Sequence, residues 1–419
     1  MPDKSEELNV ALDYRAQLQE KSYNPMVLDD ETLKGLQEHL NKVFPNPEQD
    51  DQFIIGSLRE FLAGKSANYK LSTVDIKKLL QREGFTENHP ILEIVTTGET
   101  SNYDDFMTAL FSEKHTKTLV NACEDIGFKL RSGFSIGVID SDGLQAEQIP
   151  IWMTEASVIN ITQQLLITSN RLSKLLAKSM CFRFNEDSKY QLSNDINDYK
   201  SKLLKDRILQ REWSLFFADC GYNPKKPPLG ERIELSNEYD QSCFIDFSDS
   251  IINFILGHEC GHHLANHSLD GMASVDNVKS DDPYKEEKEA DMLGCHLAMR
   301  IGHNPEEPNW FSAINLGATC ILKATQLIER SHHLLKDGHE KVDLQVNASH
   351  PPFETRIEII KWFISYYYED SPASKVAIEM HDLILDLFDF IWLNVSAFVR
   401  DLHKEGHRPE PVNSQWLPE

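Results

Sequence analysis

Phe247-Ser-Asp-Ser-Ile-Ile-Asn-Phe-Ile-Leu-Gly-His258-Glu259-Cys260-Gly261-His262 is the stretch on which the fold turns. Cys243 to Phe247 has the aromatic and β-branched composition of a strand, and Ser248, Asp249 and Ser250 are N-cap residue types, so a helix is expected over about 249 to 268. On that helix His258 and His262 stand at i and i+4 and share one face. Two imidazoles so placed can bind a single ion, while Glu259, turned about 100 degrees from His258, can act on a water beside it. Ile251, Phe254 and Ile255 precede His258 on the same side. The ligand face should therefore continue a buried face, at the edge of the core. Rotation places Cys260 away from that face, which makes a thiol nucleophile a poor fit.

A catalytic zinc takes three protein ligands and keeps a fourth position open. His267, nine residues after His258, comes about 180 degrees round the helix and does not join the pair. The bent arrangement H-E-x-x-H-x-x-G-x-x-H is excluded, because Ala265 and Ser268 occupy the glycine and histidine positions. His267 is expected as a helix-end or packing residue. The better ligand lies in Pro283-Tyr-Lys-Glu-Glu287-Lys-Glu-Ala290-Asp291-Met-Leu-Gly294-Cys-His-Leu-Ala298. Glu287 and Asp291 form an i, i+4 pair, so one carboxylate can hold the metal while the other accepts a hydrogen bond from a ligand imidazole. Ala290, Gly294 and Ala298 make a row of small residues that lets this helix approach another closely.

Three segments together carry a family resemblance. His258-Glu-Cys-Gly-His262-His-Leu-Ala-Asn-His267, Glu287-Lys-Glu-Ala-Asp291 and Ser349-His350-Pro351-Pro352-Phe-Glu-Thr-Arg356-Ile357 resemble, in order and approximate spacing, signatures of the HtpX and CAAX-prenyl-protease class of gluzincin zinc peptidases. The likeness covers roughly residues 230 to 360. The phage-exclusion Lit peptidases and the ImmA-type peptidases are soluble relatives with the same site logic. The resemblance implies an α+β, mainly α fold: a zincin-like metallopeptidase core with a small β-sheet and an active-site helix, flanked by helical N-terminal and C-terminal regions. It implies one Zn2+ per chain on His258, His262 and Glu287, with Glu259 as general base. Asp291 and Arg356 would stand behind the ligands, Arg356 pairing with a site carboxylate such as Asp291. His350 is favoured over Tyr284 as the donor to the oxyanion, since Tyr284 is placed only by its nearness to Glu287. The implied activity is an endopeptidase acting on an intracellular protein or peptide. Two alternatives stay open: a catalytically silent zinc protein serving as a partner-binding scaffold, and a defence or stress peptidase held inactive until its N-terminal module senses a signal.

The rest of the chain bounds these expectations. Its 419 residues suffice for a catalytic body and an appended region, and a net charge of -25 repels phosphate backbones, so nucleic acid is not an expected partner. No apolar stretch approaches the roughly 20 residues that span a bilayer. The longest, Phe388 to Val399, is interrupted by Asp389, Asn394 and Ser396, and the N-terminus lacks a signal-peptide core. A cytoplasmic location without a membrane span is expected. The seven cysteines are scattered and contain no C-x-x-C pair, and most of them are expected to be buried free thiols.

The pattern divides into a helical N-terminal module over 1–100, a metallopeptidase domain over 101–369 and a C-terminal helix and tail over 370–419. The module, with helices expected at 31–43, 52–63 and 72–84 and a linker at 88–102, is the natural contact for a regulatory partner. Strands are expected at Gly127–Asp140, Gln148–Met153, Arg232–Leu235 and Cys243–Phe247. Helices are expected near 155–179, 188–219, 284–301, 309–335, 353–367 and 373–403. The adjacent His332 and His333 point about 100 degrees apart and are expected at the surface.

Overall fold

A computed structural model describes residues 4–22, 101, 103–104, 106–130, 133–141, 143–184, 190–223, 233–235, 237–265, 282–340, 350–369 and 371–409. The expected helices at 31–43, 52–63 and 72–84, nearly all of the linker, His267, and the tail beyond 409 lie outside the described residues. The protein is mainly helical with small sheets.

The larger sheet has the order β1 (Phe134–Ile139), β3 (Ser157–Thr162), β2 (Ala146–Pro150), with β1 parallel and β2 antiparallel to β3. Every residue of the central strand β3 is buried. A strand covered on both faces has no polar alternation to betray it. The helix expected from 155 therefore begins later, as α3 (Gln163–Ser179), where Thr162 Oγ1 accepts a bond from the Leu165 amide at 3.2 Å. Helices α1 (Lys4–Ser22) and α2 (Phe106–Ile126) pack on β1. The buried Arg15 of α1 pairs with Asp104 and donates to Ser135 Oγ at 3.3 Å, and Gln19 donates to Asp104 Oδ1 at 2.6 Å and the Val138 carbonyl at 2.9 Å. This buried polar clasp fixes α1 on the sheet.

The single helix expected over 188–219 is instead a short antiparallel pair, β4 (Phe182–Phe184) with β5 (Tyr190–Leu192), followed by α4 (Ile196–Lys205) and α5 (Arg207–Tyr222). The N-caps Asp195 and Asp206 start the two helices. Cys243 to Phe247 is likewise no strand. It lies inside α6 (Glu238–Ala265), where buried Cys243, Phe247, Ile251 and Phe254 recur at helical spacing. Asn237 Oδ1 accepts from the Asp240 amide at 2.8 Å and so occupies the capping role that Ser248 to Ser250 were expected to fill. Ser250 instead receives the Gly317 amide at 3.0 Å, a contact between helices. Among the described residues, 233–235 pair with no strand.

Beyond the site helix come α7 (Lys285–Gly302), α8 (Trp310–Ala313), α9 (Leu316–Asp337), α10 (Phe353–Tyr367) and α11 (Pro372–Lys404). The helix expected over 309–335 is broken by Asn315, whose φ of 56° takes the left-handed conformation that asparagine tolerates. Helix α9 is central, with α5, α6, α10 and α11 against it. Its His332 and His333 are consequently buried rather than at the surface, and His332 Nδ1 donates to the Gly221 carbonyl at 3.0 Å. Cys181 is partly exposed and the other cysteines are buried free thiols. Among the described residues no helix is long and apolar enough to cross a membrane.

Candidate metal centre

The site exists because α6 and α7 come into backbone contact. A methyl group on Gly257 would lie 3.0 Å from the Gly294 carbonyl oxygen, and one on Gly261 would lie 2.9 Å from that of Ala290. Glycines spaced four apart on α6 thus face the small row of α7. The match lets Glu287, with only two methylenes, reach ligands held by the neighbouring helix. Ile251, Phe254 and Ile255 are buried ahead of His258, so the ligand face does continue into the core.

Ligand atoms of His258, His262 and Glu287 all lie within 4.8 Å of one another, a group that could hold a metal ion. The two Nε2 atoms are 3.3 Å apart; His258 Nε2 is 3.5 Å from Glu287 Oε2 and His262 Nε2 is 3.5 Å from Glu287 Oε1. Among the described residues the buried Glu287 Oε2 makes no well-formed hydrogen bond, the His350 and His258 Nε2 atoms standing 3.3 and 3.5 Å from it. Behind the ligands, His258 Nδ1 donates to Asp291 Oδ1 at 2.9 Å. A neutral His258 that donates here carries its lone pair on Nε2, the nitrogen that faces the other ligands. Asp291 in turn accepts two bonds from Arg356, Nε to Oδ2 at 2.8 Å and the terminal nitrogen to Oδ1 at 2.6 Å. Both partners are nearly inaccessible, at 0% and 2% exposure.

Burial acts on each of these groups and charge neighbours answer it. Desolvation, reinforced by nearby Glu287, pushes the Glu259 carboxyl up to about 7, against His258 and the Gln148 backbone amide that bonds to it. For Glu287 burial is outweighed by His258, His350 and His262, which bring it down to about 2. Burial would lower His258, but Asp291 and Glu287 raise it to about 10. Asp291 is held well below the carboxylate range because Arg356 and His258 outweigh its burial. Burial lowers His350.

His350, half-buried just ahead of α10, places Nε2 3.3 Å from Glu287 Oε2. Tyr284 lies one residue before α7, its amide bonded to Asp282 Oδ1 at 2.9 Å. The structure thus brings His258, Glu259, His262, Glu287, Asp291, His350 and Arg356 together. Two supports escaped the sequence. Gln148, at the middle of β2, touches the Glu259 carboxylate through its backbone, which no side-chain pattern can announce. His263, fully buried, meets Ser157 Oγ at 2.6 Å and ties α6 to β3. Its position beside the ligand His262 was the available signal. Cys260 is buried in the core as a free thiol, hydrogen-bonded to the Cys123 thiol rather than directed at the ligands. No family model matches the chain, and no curated protein or solved structure matches it.

Proposed function

We propose that this chain is a gluzincin-type zinc endopeptidase that hydrolyses a protein or peptide, with one zinc on His258, His262 and Glu287 and with Glu259 as general base. The convergence of those three ligand atoms beside a buried carboxyl carries the proposal. The donor set of two imidazole nitrogens and one carboxylate oxygen suits zinc. So do the spacings of 3.3 and 3.5 Å, since ligands about 2.0–2.1 Å from a tetrahedral ion stand roughly 3.3–3.4 Å apart. The ion would also give the buried Glu287 Oε2 a close partner that its surroundings do not supply through a well-formed hydrogen bond.

When bound, zinc supplies a Lewis acid for the scissile carbonyl and acidifies water toward neutrality. Glu259 accepts the proton of the attacking water, whose oxygen joins the carbonyl carbon, and delivers that proton to the amine as the C–N bond breaks. In the metal-free chain burial raises the Glu259 carboxyl to about 7, so it takes up a proton more readily than an exposed glutamate. Asp291 and Arg356 hold the His258 ring in its metal-facing tautomer. His350, at the rim beside Glu287, would donate to the oxyanion. A purely structural metal would need the ligands and not a buried base, which favours the peptidase over a silent scaffold.

The deciding experiment compares the wild type with Glu259→Gln on an unfolded protein in the presence of zinc. New amino termini should appear with the wild type alone, while the variant retains its zinc; equal cleavage by both would remove Glu259 as the base.

A further inference from the structure

The turn joining β2 to β3 presents two large apolar side chains to water: Trp152 is 73% and Met153 81% exposed. The turn is not loose. The Ile151 amide bonds to the Ala156 carbonyl at 2.9 Å, the Thr154 amide and hydroxyl both bond to the Ile151 carbonyl at 3.1 and 2.8 Å, and the Ala156 amide bonds to Thr154 Oγ1 at 3.0 Å. At its third residue Met153 adopts φ 62°, the left-handed conformation that such turns reserve for glycine or asparagine. Backbone strain and exposed apolar area both oppose stability, and here they coincide at one rigid tip. A glycine at 153 would relieve the first and remove part of the second.

The strand leading to this tip is the one that touches the chemistry. Gln148 of β2 bonds to Glu259 through its backbone. Among the described residues β2 pairs with β3 alone, so its outer edge carries no strand. Trp152 follows four residues later, about 13 Å along extended chain. A polypeptide whose scissile bond lies near Glu259 can therefore reach the tip within a few residues. Glu147 and Glu155 flank the turn, and the chain carries a net charge of -25. These charges repel an anionic bilayer and suit a polypeptide with basic residues near an apolar one.

We propose that Trp152 and Met153 are a docking point for an apolar side chain of an extended, unfolded polypeptide substrate, a few residues from the bond that is cut. This rests on the endopeptidase function proposed above. It makes unfolded protein the substrate class, because a folded one keeps its apolar side chains covered.

The test uses the zinc-loaded full chain with Glu259→Gln, so that binding is read without turnover, and reduced, carbamidomethylated lysozyme as the unfolded probe. Adding Trp152→Ser and Met153→Gly should weaken binding about tenfold, the order expected from losing one buried apolar side chain. The thermal midpoint should stay equal or rise, since glycine accepts the positive φ. Ile208→Ser and Leu393→Ser, at residues 72% and 70% exposed elsewhere on the surface, should leave binding unchanged. Unchanged binding by the turn variant, no binding by the parent, or turn-dependent binding to phosphatidylcholine vesicles in place of the probe would each overturn the proposal. Cleavage of the same probe by the chain with Glu259 intact separates the two ideas. Turn-dependent binding without cleavage contradicts the peptidase, whereas cleavage indifferent to the turn contradicts the docking point.

Discussion

Gly294 on α7 meets the backbone of His258 on α6 with no side chain between them: a methyl group on Gly294 would lie 2.7 Å from the His258 nitrogen and 2.9 Å from its α-carbon. Both obstacles are backbone, so neither can rotate away. Gly294→Ala must push the helices apart and draw Glu287 from its partner ligands. The expected result is a loss of about 1–3 kcal/mol in urea denaturation of the metal-free chain, with weaker zinc retention. Unchanged values for both would mean that the helices do not approach as described.

Asp291 and Arg356 form a buried ion pair whose carboxylate also orients His258. Asp291→Asn keeps the shape but leaves the guanidinium in the interior without its counter-charge. The variant is expected to lose about 3 kcal/mol of stability and to bind zinc less tightly. A double-mutant cycle with Arg356→Met checks the pairing: the second substitution should recover part of the stability but not the zinc affinity, because the His258 tautomer still lacks its carboxylate.

Glu259 imposes a pH dependence of definite sign on the metal-free chain. Its carboxyl moves from an ordinary value of 4.5 to about 7 on folding, so between these values the folded state holds a proton that the unfolded state has released. Stability therefore falls as pH rises through this window, and the penalty stays in place above it. Glu259→Gln removes the ionisation. The variant should match the wild type near pH 4.5 and exceed it at pH 8 by roughly 2–3 kcal/mol. A gap between their urea midpoints that is the same at both pH values would show that Glu259 is not desolvated.

The residues of the candidate centre were legible because their chemistry is local. His258 and His262 declare themselves by a four-residue spacing, and Ala290 and Gly294 announce a close helix approach by the same interval. The strands were harder for a physical reason. Ser157 to Thr162 is buried on both faces, so its composition resembles a buried helix, whereas Cys243 to Phe247 has strand-like residues that serve the apolar face of a long helix. In each case tertiary burial overrode local preference. His332 and His333 read as surface residues because histidine is polar, yet α9 is surrounded by other helices and leaves them no water. The Gln148 amide at Glu259 was invisible in principle, since a backbone contact leaves no mark on residue type.

The most direct test of the metal centre is diffraction from zinc-loaded crystals at the zinc absorption edge. One anomalous peak is expected about 2.0–2.2 Å from His258 Nε2, His262 Nε2 and a Glu287 carboxylate oxygen. A peak held by other residues, or no peak between α6 and α7, would contradict the assignment.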